Sequence, residues 1–492
     1  MNMFRSLFFL LIASLFISTL AFAQKHNFIV ILADDLGTDK ISVYGNELGI
    51  SQPQTPILTR LFKEGIQFQN AYSHVFCSPS RLSLMTGKHP HNFGVGIFIR
   101  NKDPRQIGLP TDLINMPKAL SSLGYDTSHV GKWHMASPSV YQDGQHPLKA
   151  GFKWSSGPGR NILSYTGSKK YKNGEEQAVP GYALSDKIDD AIGRTKQMKQ
   201  PWLLYLPFNT PHHPFHVPPK DLLNSTIPKN PSSAQKYDLM VEAMDTEIGR
   251  LISSIPQDVL SNTTVIFMGD NGTPSDGVEN KPQGPQRMKG SVYQGGVHVP
   301  LLVWGSAVAK DKKGTPNDNI ISITDIFPTI FELAGGFAGG LELTGKQALQ
   351  EIDGVSFAQT VSSKSSKESS TKRETIMSER FEPNGPPPYR LLHRMVRNQT
   401  HKLIEKRQHG RLKAYEFYNT ELDTGEKNNL CPSLEACSQN LVESRDREQY
   451  KKLKQELDII NKKAAAAVIT IDPDPESQLT TKEFRKKKKR AF

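Results

Sequence analysis

The chain has 492 residues, which is too long for one ordinary hydrophobic core and indicates two or three domains. It is 37% hydrophobic and 22% charged, a composition that excludes wholly disordered, collagen-like and coiled-coil chains. Its three cysteines are too few for a disulfide-built scaffold or a four-cysteine metal site. The formal net charge of +12 favours a negatively charged substrate.

The N-terminal residues have the features of a secretory signal peptide. Arg5 precedes an apolar run from Leu7 to Leu20, and Ala21-Phe22-Ala23 supplies small residues at the spacing of a cleavage site. The alternative is an uncleaved anchor, but a membrane span needs roughly 20 apolar residues and this run is shorter. We therefore expect a signal peptide over residues 1–23, an exported protein that is periplasmic or secreted, and no stable membrane span.

The continuous apolar runs of the chain predict buried strands, and each run is followed by polar residues. Runs of this kind, without polar alternation, are typical of strands covered on both faces. The four predicted strands are Phe28–Ala33, Tyr125–Val130, Trp202–Leu206 and Thr264–Gly269. The polar residues after them include Asp34, Lys132, His212 and Asp270.

Helical patterns lie between these strands. The predicted helices are Met116–Leu123, Ser233–Ile255 and Ile320–Ala334, the first and last of which are followed by glycine. Alternation of strand and helix predicts an α/β fold, with a mostly parallel sheet sandwiched by helices. Ligands of such sheets bind beyond the carboxyl ends of the strands, where the polar residues above should meet.

The composition changes after about residue 360. Residues 362–370 are rich in serine and lysine, which is typical of a linker or surface loop. Beyond them, residues 395–405 and 415–419 resemble short strands, and residues 443–463 resemble a charged helix. We expect a catalytic domain over residues 24–360 and a smaller C-terminal α+β domain over residues 361–475.

The end of the chain is strongly basic. The segment from Lys482 to Arg490 contains seven basic residues and one acid. Its surplus positive charge is half of the net charge of the chain. We expect a basic, disordered tail over residues 476–492, with attraction to an anionic polymer or lipid as the alternative. Nucleic acid is not an expected partner, because nuclear targeting conflicts with the signal peptide.

The most informative stretch is Cys77-Ser-Pro-Ser-Arg81-Leu-Ser-Leu-Met-Thr-Gly87. A lone cysteine before a helix is usually a buried thiol, but an exported protein rarely keeps an unpaired thiol without a reason. The pattern C-x-P-S-R-x-x-L-x-T-G resembles the signature of the type I sulfatases, and the resemblance extends from Asn27 to about Leu430. It implies the alkaline phosphatase-like fold and conversion of Cys77 to formylglycine (3-oxoalanine) by a formylglycine-generating maturation enzyme.

The chemistry explains why this family would modify a cysteine. A thiol attacks a sulfate ester poorly and would leave a stable adduct. A formylglycine hydrate offers two hydroxyls on one carbon: one attacks sulfur and displaces the alcohol, and the second expels sulfate as the aldehyde re-forms. A helix that begins at residue 77 would also direct backbone N–H groups towards the anion.

A sulfate in transfer needs nearby positive charge, and a hard cation with oxygen ligands is one source. Asp34 and Asp35 follow one predicted buried strand, and Asp270 and Asn271 follow another. Either pair alone could simply form a turn, but turn formation explains less well why two such pairs follow two buried strands. The resemblance implies that they bind Ca²⁺ together with residue 77, and Mg²⁺ is the less expected ion. The implied metal ligands are Asp34, Asp35, Cys77, Asp270 and Asn271.

The remaining site residues follow from the same resemblance. Arg81 would support the formylglycine, and Lys132 and His134 would contact the sulfate and the hydrate. His212 would lie near the ester oxygen, and Lys289 would bind sulfate and assist the leaving group. We expect Lys132, His212 and Lys289 to bind substrate and His134 to act as the base. For His213 and His216, packing and substrate contact are equally suitable roles.

Two other features bear on the assignment. Many family members carry Glu-Gly-Gly where this chain has Gln294-Gly295-Gly296, which leaves the role of that loop open. Cys431 and Cys437 enclose a short loop, and export makes a disulfide between them plausible, with free thiols as the alternative.

The sequence thus favours hydrolysis of a sulfate monoester, with a sulfated polysaccharide or oligosaccharide as the expected substrate. One alternative is a phosphonate or phosphodiester hydrolase of the same superfamily, which would share the metal and the nucleophile. The other is a catalytically silent polysaccharide-binding protein, which would result if Cys77 were not converted.

Overall fold

The computed structural model describes residues 25–46, 49–100, 105–141, 144–280, 284–336, 352–362, 373–433, 437 and 444–467. The predicted signal peptide and basic tail lie outside these residues, as does most of the predicted linker. Nothing in the structure tests the domain boundaries, which stay predictions. None of the helices in the described residues combines the length and the apolar character needed to cross a membrane.

The described residues contain fourteen strands, which form two sheets. They are β1 (Asn27–Ala33), β2 (Ile66–Tyr72), β3 (Asp126–Val130), β4 (Trp154–Gly157), β5 (Lys169–Lys172), β6 (Glu175–Ala178), β7 (Trp202–Pro207), β8 (Thr263–Gly269), β9 (Leu301–Gly305), β10 (Pro316–Ser322), β11 (Ile376–Glu382), β12 (Leu391–Arg397), β13 (His401–Gln408) and β14 (Arg411–Asn419). The first ten form one sheet in the order β10-β2-β9-β8-β1-β7-β3-β4-β5-β6, and the last four form the other in sequence order.

The α-helices are α1 (Pro56–Glu64), α2 (Cys77–Thr86), α3 (Met116–Ser122), α4 (Pro138–Tyr141), α5 (His146–Lys149), α6 (Ala183–Gln197), α7 (Ser233–Ser254), α8 (Gln257–Leu260), α9 (Gln294–Val297), α10 (Ile326–Leu333), α11 (Ala358–Val361) and α12 (Ser444–Ala466). Two of them match predicted helices closely: α3 ends one residue before Leu123, and α7 ends one residue before Ile255. Ser232 caps α7 with a hydrogen bond from the backbone N–H of Gln235, and the Gln235 side chain accepts one from the Ser232 N–H in return.

The large sheet is parallel at its centre, with the antiparallel strand β9 on one side and an antiparallel pair on the other; at the edge beyond β9, strands β2 and β10 are again parallel to each other. Strands β8, β1, β7, β3 and β4 are parallel neighbours, whereas β9 runs antiparallel to both β8 and β2, and β5 and β6 form an antiparallel flank. The predicted α/β fold with a parallel core is therefore confirmed. The carboxyl ends of the central strands lie at one edge, with Ala33 of β1 opposite Gly269 of β8.

Helices cover both faces of this sheet, which explains its continuous apolar strands. On β1, Phe28, Val30 and Leu32 enter one buried cluster, and Ile29 and Ile31 enter the other. The first cluster is completed by α2, α3 and α10, and the second by α1, α6 and α7. A strand with both faces buried has no reason to alternate apolar and polar residues.

The predicted helix Ile320–Ala334 is wrong in its first half. Residues 316–322 form strand β10, in which Ile320 and Ile321 pair in parallel with Asn70 and Ala71 of β2. The α-helix begins only at Ile326. The long-range pairing with β2, together with the preference of isoleucine for strands, overrides the helical spacing of the apolar residues.

The C-terminal sheet is antiparallel, as expected of the predicted α+β domain. One of its faces packs against α12, through residues such as Val396 and Leu403, and the other packs against the large domain through their neighbours Met395 and Ile404. The predicted strand 395–405 is in fact parts of β12 and β13, joined by a turn in which the Asn398 side chain accepts the N–H groups of residues 400 and 401. Cys431 and Cys437 are joined by a disulfide with an S–S distance of 2.09 Å.

Candidate active site

Cys77 lies at the N-terminus of α2, buried at the carboxyl edge of the large sheet. All ten residues of this helix are buried, and the helix ends at Gly87, which adopts the left-handed conformation with φ 68°. The Cys77 Sγ lies 3.2 Å from Asp34 Oδ1 and 3.8 Å from Asp35 Oδ1. A group attached at this position therefore faces both carboxylates and the positive end of a helix.

The two polar strand ends predicted from the sequence meet as expected. The backbone N–H of Asp270 donates to the Ala33 carbonyl, and the N–H of Asp35 donates to Asp270 Oδ1 at 3.0 Å. Asn271 Nδ2 donates to Asp35 Oδ1 at 2.9 Å. These four residues, Asp34, Asp35, Asp270 and Asn271, are all fully buried.

Three cations balance the three buried carboxylates. Lys132 Nζ lies 2.5 Å from Asp34 Oδ2, and Lys289 Nζ lies 2.5 Å from Asp35 Oδ2. Lys132 is fully buried, whereas the Lys289 side chain keeps 16% of its surface exposed. Lys289 therefore lies at the solvent side of the site.

Arg81 is the third cation, and it connects several parts of the site through hydrogen bonds. Its Nε and Nη2 both donate to Asp270 Oδ2, at 3.0 and 2.9 Å. Its Nη1 donates to the Lys132 carbonyl at 2.8 Å, and Nη2 also donates to the Phe208 carbonyl at 3.3 Å. One guanidinium thus connects the ends of three sheet strands to helix α2.

His212 lies on the solvent side, where it and Lys289 approach the same oxygen of Asp35. Its Nε2 is 3.7 Å from Asp35 Oδ2 and 3.3 Å from the Nδ2 of Asn161. The Tyr165 hydroxyl contacts the carbonyls of both Asn209 and His212, at 2.5 and 2.9 Å, which fixes the segment that carries the histidine.

His134 is buried behind the lysines. Its Nε2 is 3.0 Å from the Ile99 carbonyl, and its Nδ1 has no hydrogen-bond partner among the described residues. Its backbone has φ 53°, and Asp35 has φ 71°; few non-glycine residues adopt this left-handed region. Strained backbone of this kind is concentrated at functional sites, where the surrounding structure imposes it.

Charge and burial shift the pKa values in opposite directions across the site. Burial would raise the pKa of Asp34, but Lys132 and the other nearby cations hold it well below its usual value. Burial and the Asp34 carboxylate raise the pKa of the Cys77 thiol well above its usual value, so an unmodified thiol here is protonated. Burial lowers the pKa of His134 and of His212. A protonated thiol is a poor nucleophile.

Four residues present metal-binding atoms close together: Asp34, Asp35, Cys77 and His212 each offer one atom within 4.8 Å of the others. Three of the five residues expected to hold the metal, Asp34, Asp35 and Cys77, are in this group, and a fourth, Asn271, donates a hydrogen bond to Asp35. Asp270 is instead occupied by Arg81 and by the Asp35 N–H. The Oδ1 of Asn271 is buried without a hydrogen-bond partner among the described residues, as an oxygen reserved for a cation would be.

Two histidines considered from the sequence make their contacts elsewhere. His213 Nε2 lies 2.8 Å from Asp276 Oδ2 and its ring stacks on Phe215. His216 contacts the Tyr182 hydroxyl at 3.0 Å. These contacts fit the packing alternative for both side chains, and contact of either histidine with substrate stays a prediction.

The Gln294-Gly295-Gly296 loop supports the strand end at Asp270. The N–H of Gly272, two residues after Asp270, donates to the Gly296 carbonyl at 2.9 Å. A Cβ atom on Gly272 would lie 2.0 Å from the Gly295 carbonyl oxygen, so only glycine fits there. Gly272 therefore allows the close approach of the two backbone segments, a contact that does not involve the side chain of residue 294.

Sequence reasoning missed three supporting residues. Tyr237, on α7, donates its hydroxyl to the Asp35 carbonyl at 2.6 Å. Tyr165 and Asn161 fix the His212 segment. Tyr237 is hidden among the apolar residues of an amphipathic helix, and the other two lie in a loop whose path no local pattern predicts.

Comparison with known proteins agrees with this geometry. The Sulfatase family model matches residues 26–336, more than half of the chain. An uncharacterized sulfatase of Escherichia coli, YdeN, is 30% identical over 358 residues, and the N-acetylgalactosamine-6-sulfatase of Rattus norvegicus is 29% identical over 353 residues. Each match covers 63% of this chain and 62% of the relative, so the chain spans about three fifths of the length of these proteins.

A solved structure extends the match to both sheets. The crystal structure of Ps i-CgsB in complex with k-i-k-neocarrahexaose has a TM-score of 0.71 and 25% sequence identity to this chain. The likeness covers 91% of this chain and 94% of that one. The family model, the relatives and this shared architecture show that the chain belongs to the sulfatase family.

Proposed function

We propose that this protein hydrolyses a sulfate monoester of a carbohydrate, with formylglycine derived from Cys77 as nucleophile and with Ca²⁺ bound beside it. The observation that carries the proposal is the position of Cys77. It is the only cysteine in the described residues without a disulfide, and it lies buried at a helix N-terminus against two carboxylates. Burial and the Asp34 carboxylate raise the pKa of the Cys77 thiol, which makes the thiol a poor nucleophile, and conversion to formylglycine would make this position reactive.

Formylglycine supplies what the thiol lacks, because its hydrate carries one hydroxyl to attack sulfur and a second whose deprotonation releases sulfate. The chain's own residues arrange the reactants. Lys132 and Lys289 flank residue 77 with positive charge and would bind two oxygens of the sulfate. Arg81 holds Asp270 and the Lys132 carbonyl in place, so it orients the lysine without needing to touch substrate.

Proton transfer falls to the two histidines. His134 has an Nδ1 without a partner among the described residues, so it can take the proton that the hydrate loses as sulfate leaves. His212 keeps 14% of its side chain exposed and lies at the solvent side, where the departing alcohol would be. We assign it the ester oxygen, with Lys289 as its partner in assisting the leaving group.

The residues around Cys77 fit a hard divalent cation. Asp34, Asp35 and Asn271 offer oxygen atoms, and the free Oδ1 of Asn271 is directed into a fully buried setting. Such a cation, when bound, neutralises charge that develops on the sulfate. Asp270 would bind the cation only through its Oδ1, the oxygen that accepts the Asp35 N–H. Oxygen ligands suit both Ca²⁺ and Mg²⁺; the family resemblance favours Ca²⁺, and Mg²⁺ is the less expected ion because it demands near-ideal octahedral geometry.

The carbohydrate part of the proposal comes from the relatives. One is named for N-acetylgalactosamine 6-sulfate, and one solved structure holds k-i-k-neocarrahexaose. We further propose that the protein is exported, that the predicted signal peptide is removed, and that a maturation enzyme converts Cys77.

Two experiments test this function. Matched aryl sulfate and aryl phosphate esters should show faster turnover of the sulfate; faster turnover of the phosphate would favour a phosphonate or phosphodiester hydrolase. Cys77→Ser should abolish turnover and retain binding of inorganic sulfate, whereas turnover by Cys77→Ala would contradict the mechanism. A native protein that binds sulfated sugar but turns over neither ester would be the silent binding protein.

A further inference from the structure

Phe98 is an exposed aromatic side chain beside the candidate active site. It is 38% exposed, and no other phenylalanine, tyrosine or tryptophan in the described residues is exposed to this degree. A large apolar side chain on the surface beside a site is a candidate for contact with the ligand, because burying it on binding is favourable in free energy.

The position of Phe98 is fixed by contacts with the site itself. Its ring centroid lies 5.4 Å from that of Phe76, the residue before Cys77, in an edge-to-face arrangement. The next residue, Ile99, accepts the hydrogen bond of His134 and donates its N–H to Ser78 Oγ at 3.0 Å. Phe98 is therefore tied on one side to helix α2 and on the other to the expected base.

The C-terminal sheet holds this loop in place. Asn384, in the loop between β11 and β12, accepts the N–H groups of Gly96 and Ile97 with its Oδ1, both at 3.0 Å. A Cβ atom on Gly96 would lie 2.4 Å from the Phe381 ring, so the two segments are in close contact. The exposure of Phe98 is thus built into the fold and does not come from a loosely placed loop.

An arginine cluster, defined as Arg100, Arg380 and Arg390, surrounds Glu382, and its member Arg380 contacts the aromatic pair. Arg380 lies with its guanidinium carbon 5.6 Å from the centroid of the Phe76 ring, and its Nη1 donates to the carbonyl of Gly290, which follows Lys289. Glu382 forms ion pairs with Arg380 and Arg390, and the charge of Arg100 also acts on its carboxylate. Three guanidinium groups around one carboxylate leave a local excess of positive charge.

We propose that Phe98 and the arginine cluster bind the part of the substrate beyond the scissile sulfate. A sugar ring would lie with its C–H face on Phe98, and a second anionic group would be bound by the arginine cluster. This inference rests on the proposed function and names its substrate class: a carbohydrate with at least one negative charge besides the sulfate that is removed. A pyranose ring has an apolar C–H face suited to an aromatic surface, and guanidinium groups bind sulfate and carboxylate in a planar, directional way.

The test measures binding rather than turnover, in the Cys77→Ser background. The probes are inorganic sulfate and three sugars (galactose, N-acetylgalactosamine and N-acetylglucosamine), each prepared as the 6-sulfate, as a disulfate, and as the 6-sulfate linked to a uronic acid. We expect at least one disulfate or uronic acid probe to bind more tightly than inorganic sulfate. Phe98→Ala should weaken sugar binding about tenfold, the effect of removing a central aromatic contact, and leave inorganic sulfate unchanged.

Arg390→Ala tests the charged half, because this side chain is 64% exposed and its loss leaves Glu382 paired with Arg380. It should weaken only the probes with a second charge and reduce the salt dependence of their binding. The preferred probe then distinguishes a second sulfate from a carboxylate. Leu422→Ala is the matched control, since Leu422 is 84% exposed in the C-terminal region and should change nothing.

Equal sugar affinity in the parent and in Phe98→Ala would overturn the proposal, and so would sugars that bind no more tightly than inorganic sulfate. Failure to bind inorganic sulfate at all would instead contradict the proposed function, so the two failures are distinguishable.

Discussion

Replacement of Arg81 by methionine should cost the protein much of its stability, because it leaves a buried charge without its partner. The side chains of Arg81 and Asp270 are both 0% exposed. Methionine keeps most of the aliphatic volume but removes both donors to Asp270 Oδ2 and the donors to the Lys132 and Phe208 carbonyls. Breaking a buried ion pair by removing one partner costs about 3–5 kcal/mol, so we expect a loss of that size in the free energy of unfolding.

Two further variants identify the cause of this loss. In Arg81→Met combined with Asp270→Asn, no charge is left unpaired at this position, and we expect roughly 2 kcal/mol of the loss to be recovered. Arg60→Met is the control, because Arg60 and Glu64 form a pair 4.0 Å apart in which both side chains are about half exposed. Exposed pairs contribute about 1 kcal/mol or less.

The assay is urea unfolding followed by tryptophan fluorescence, since Trp133 and Trp202 are fully buried in the large domain. A chelator is present throughout, so that metal binding near Asp270 does not add to the differences. An Arg81→Met variant that is destabilised no more than Arg60→Met would refute the reasoning. So would a double variant that is less stable than Arg81→Met alone.

Three other predictions follow from the structure. Tyr165→Phe removes the donor to the Asn209 and His212 carbonyls, and leaving buried acceptors unpaired costs about 1–3 kcal/mol. Because this hydroxyl fixes the segment that carries His212, we expect kcat to fall about tenfold. The far-ultraviolet circular dichroism spectrum should stay unchanged. Chelation should lower the Tm and Ca²⁺ should restore it, because a ligand at 100 times its Kd stabilises by about 2.7 kcal/mol. Burial lowers the pKa of His89 from 6.5 to about 4, so the unfolded chain binds the extra proton first, and stability should fall by about 3 kcal/mol as the pH falls from about 6.5 to 4.

Each of these has its own control. An Asn271→Ala variant should lose the response to Ca²⁺, and an unchanged response would contradict the assigned ligands. His89→Gln should make the loss of stability between pH 6.5 and 4 smaller by about 3 kcal/mol, the share of this one residue, because other buried histidines such as His146 and His298 also have pKa values lowered to about 4. His213→Gln should leave that loss unchanged, since the His213 side chain is 46% exposed. The titratable and charged groups that act on His89 are His74, His91, Asp353, Arg373 and Glu379. A Tyr165→Phe enzyme with unchanged kcat would show that the His212 segment does not need this hydroxyl.

The sequence predicted the parts of the fold that local chemistry determines. The runs that became β1, β7 and β8 are apolar throughout because helices cover both of their faces, and that pattern is visible without a structure. Residues 320–322 were misread because their strand character comes from pairing with β2, some 250 residues earlier in the chain. Local spacing carries no information about such a partner.

The same distinction applies to the site. Two of the site residues, Asp34 and Asp270, follow recognisable strands, and Cys77 lies in a recognisable motif. Their proximity in the fold could therefore be predicted. Tyr237 reaches Asp35 across 202 positions of the sequence, and its role is set by the packing of α7 against the sheet. The pairing of Asp270 with Arg81 likewise depends on how α2 crosses the strand ends.

The most direct measurement is the mass of the tryptic peptide of residues 64–81, taken from protein that turns over an aryl sulfate. If formylglycine is the nucleophile, residue 77 in this peptide has lost sulfur as H₂S and gained an oxygen, and its aldehyde is trapped by a hydrazine reagent. The converted fraction should rise and fall with specific activity across preparations. Full activity in protein whose peptide carries only an unmodified Cys77 would contradict this role of formylglycine.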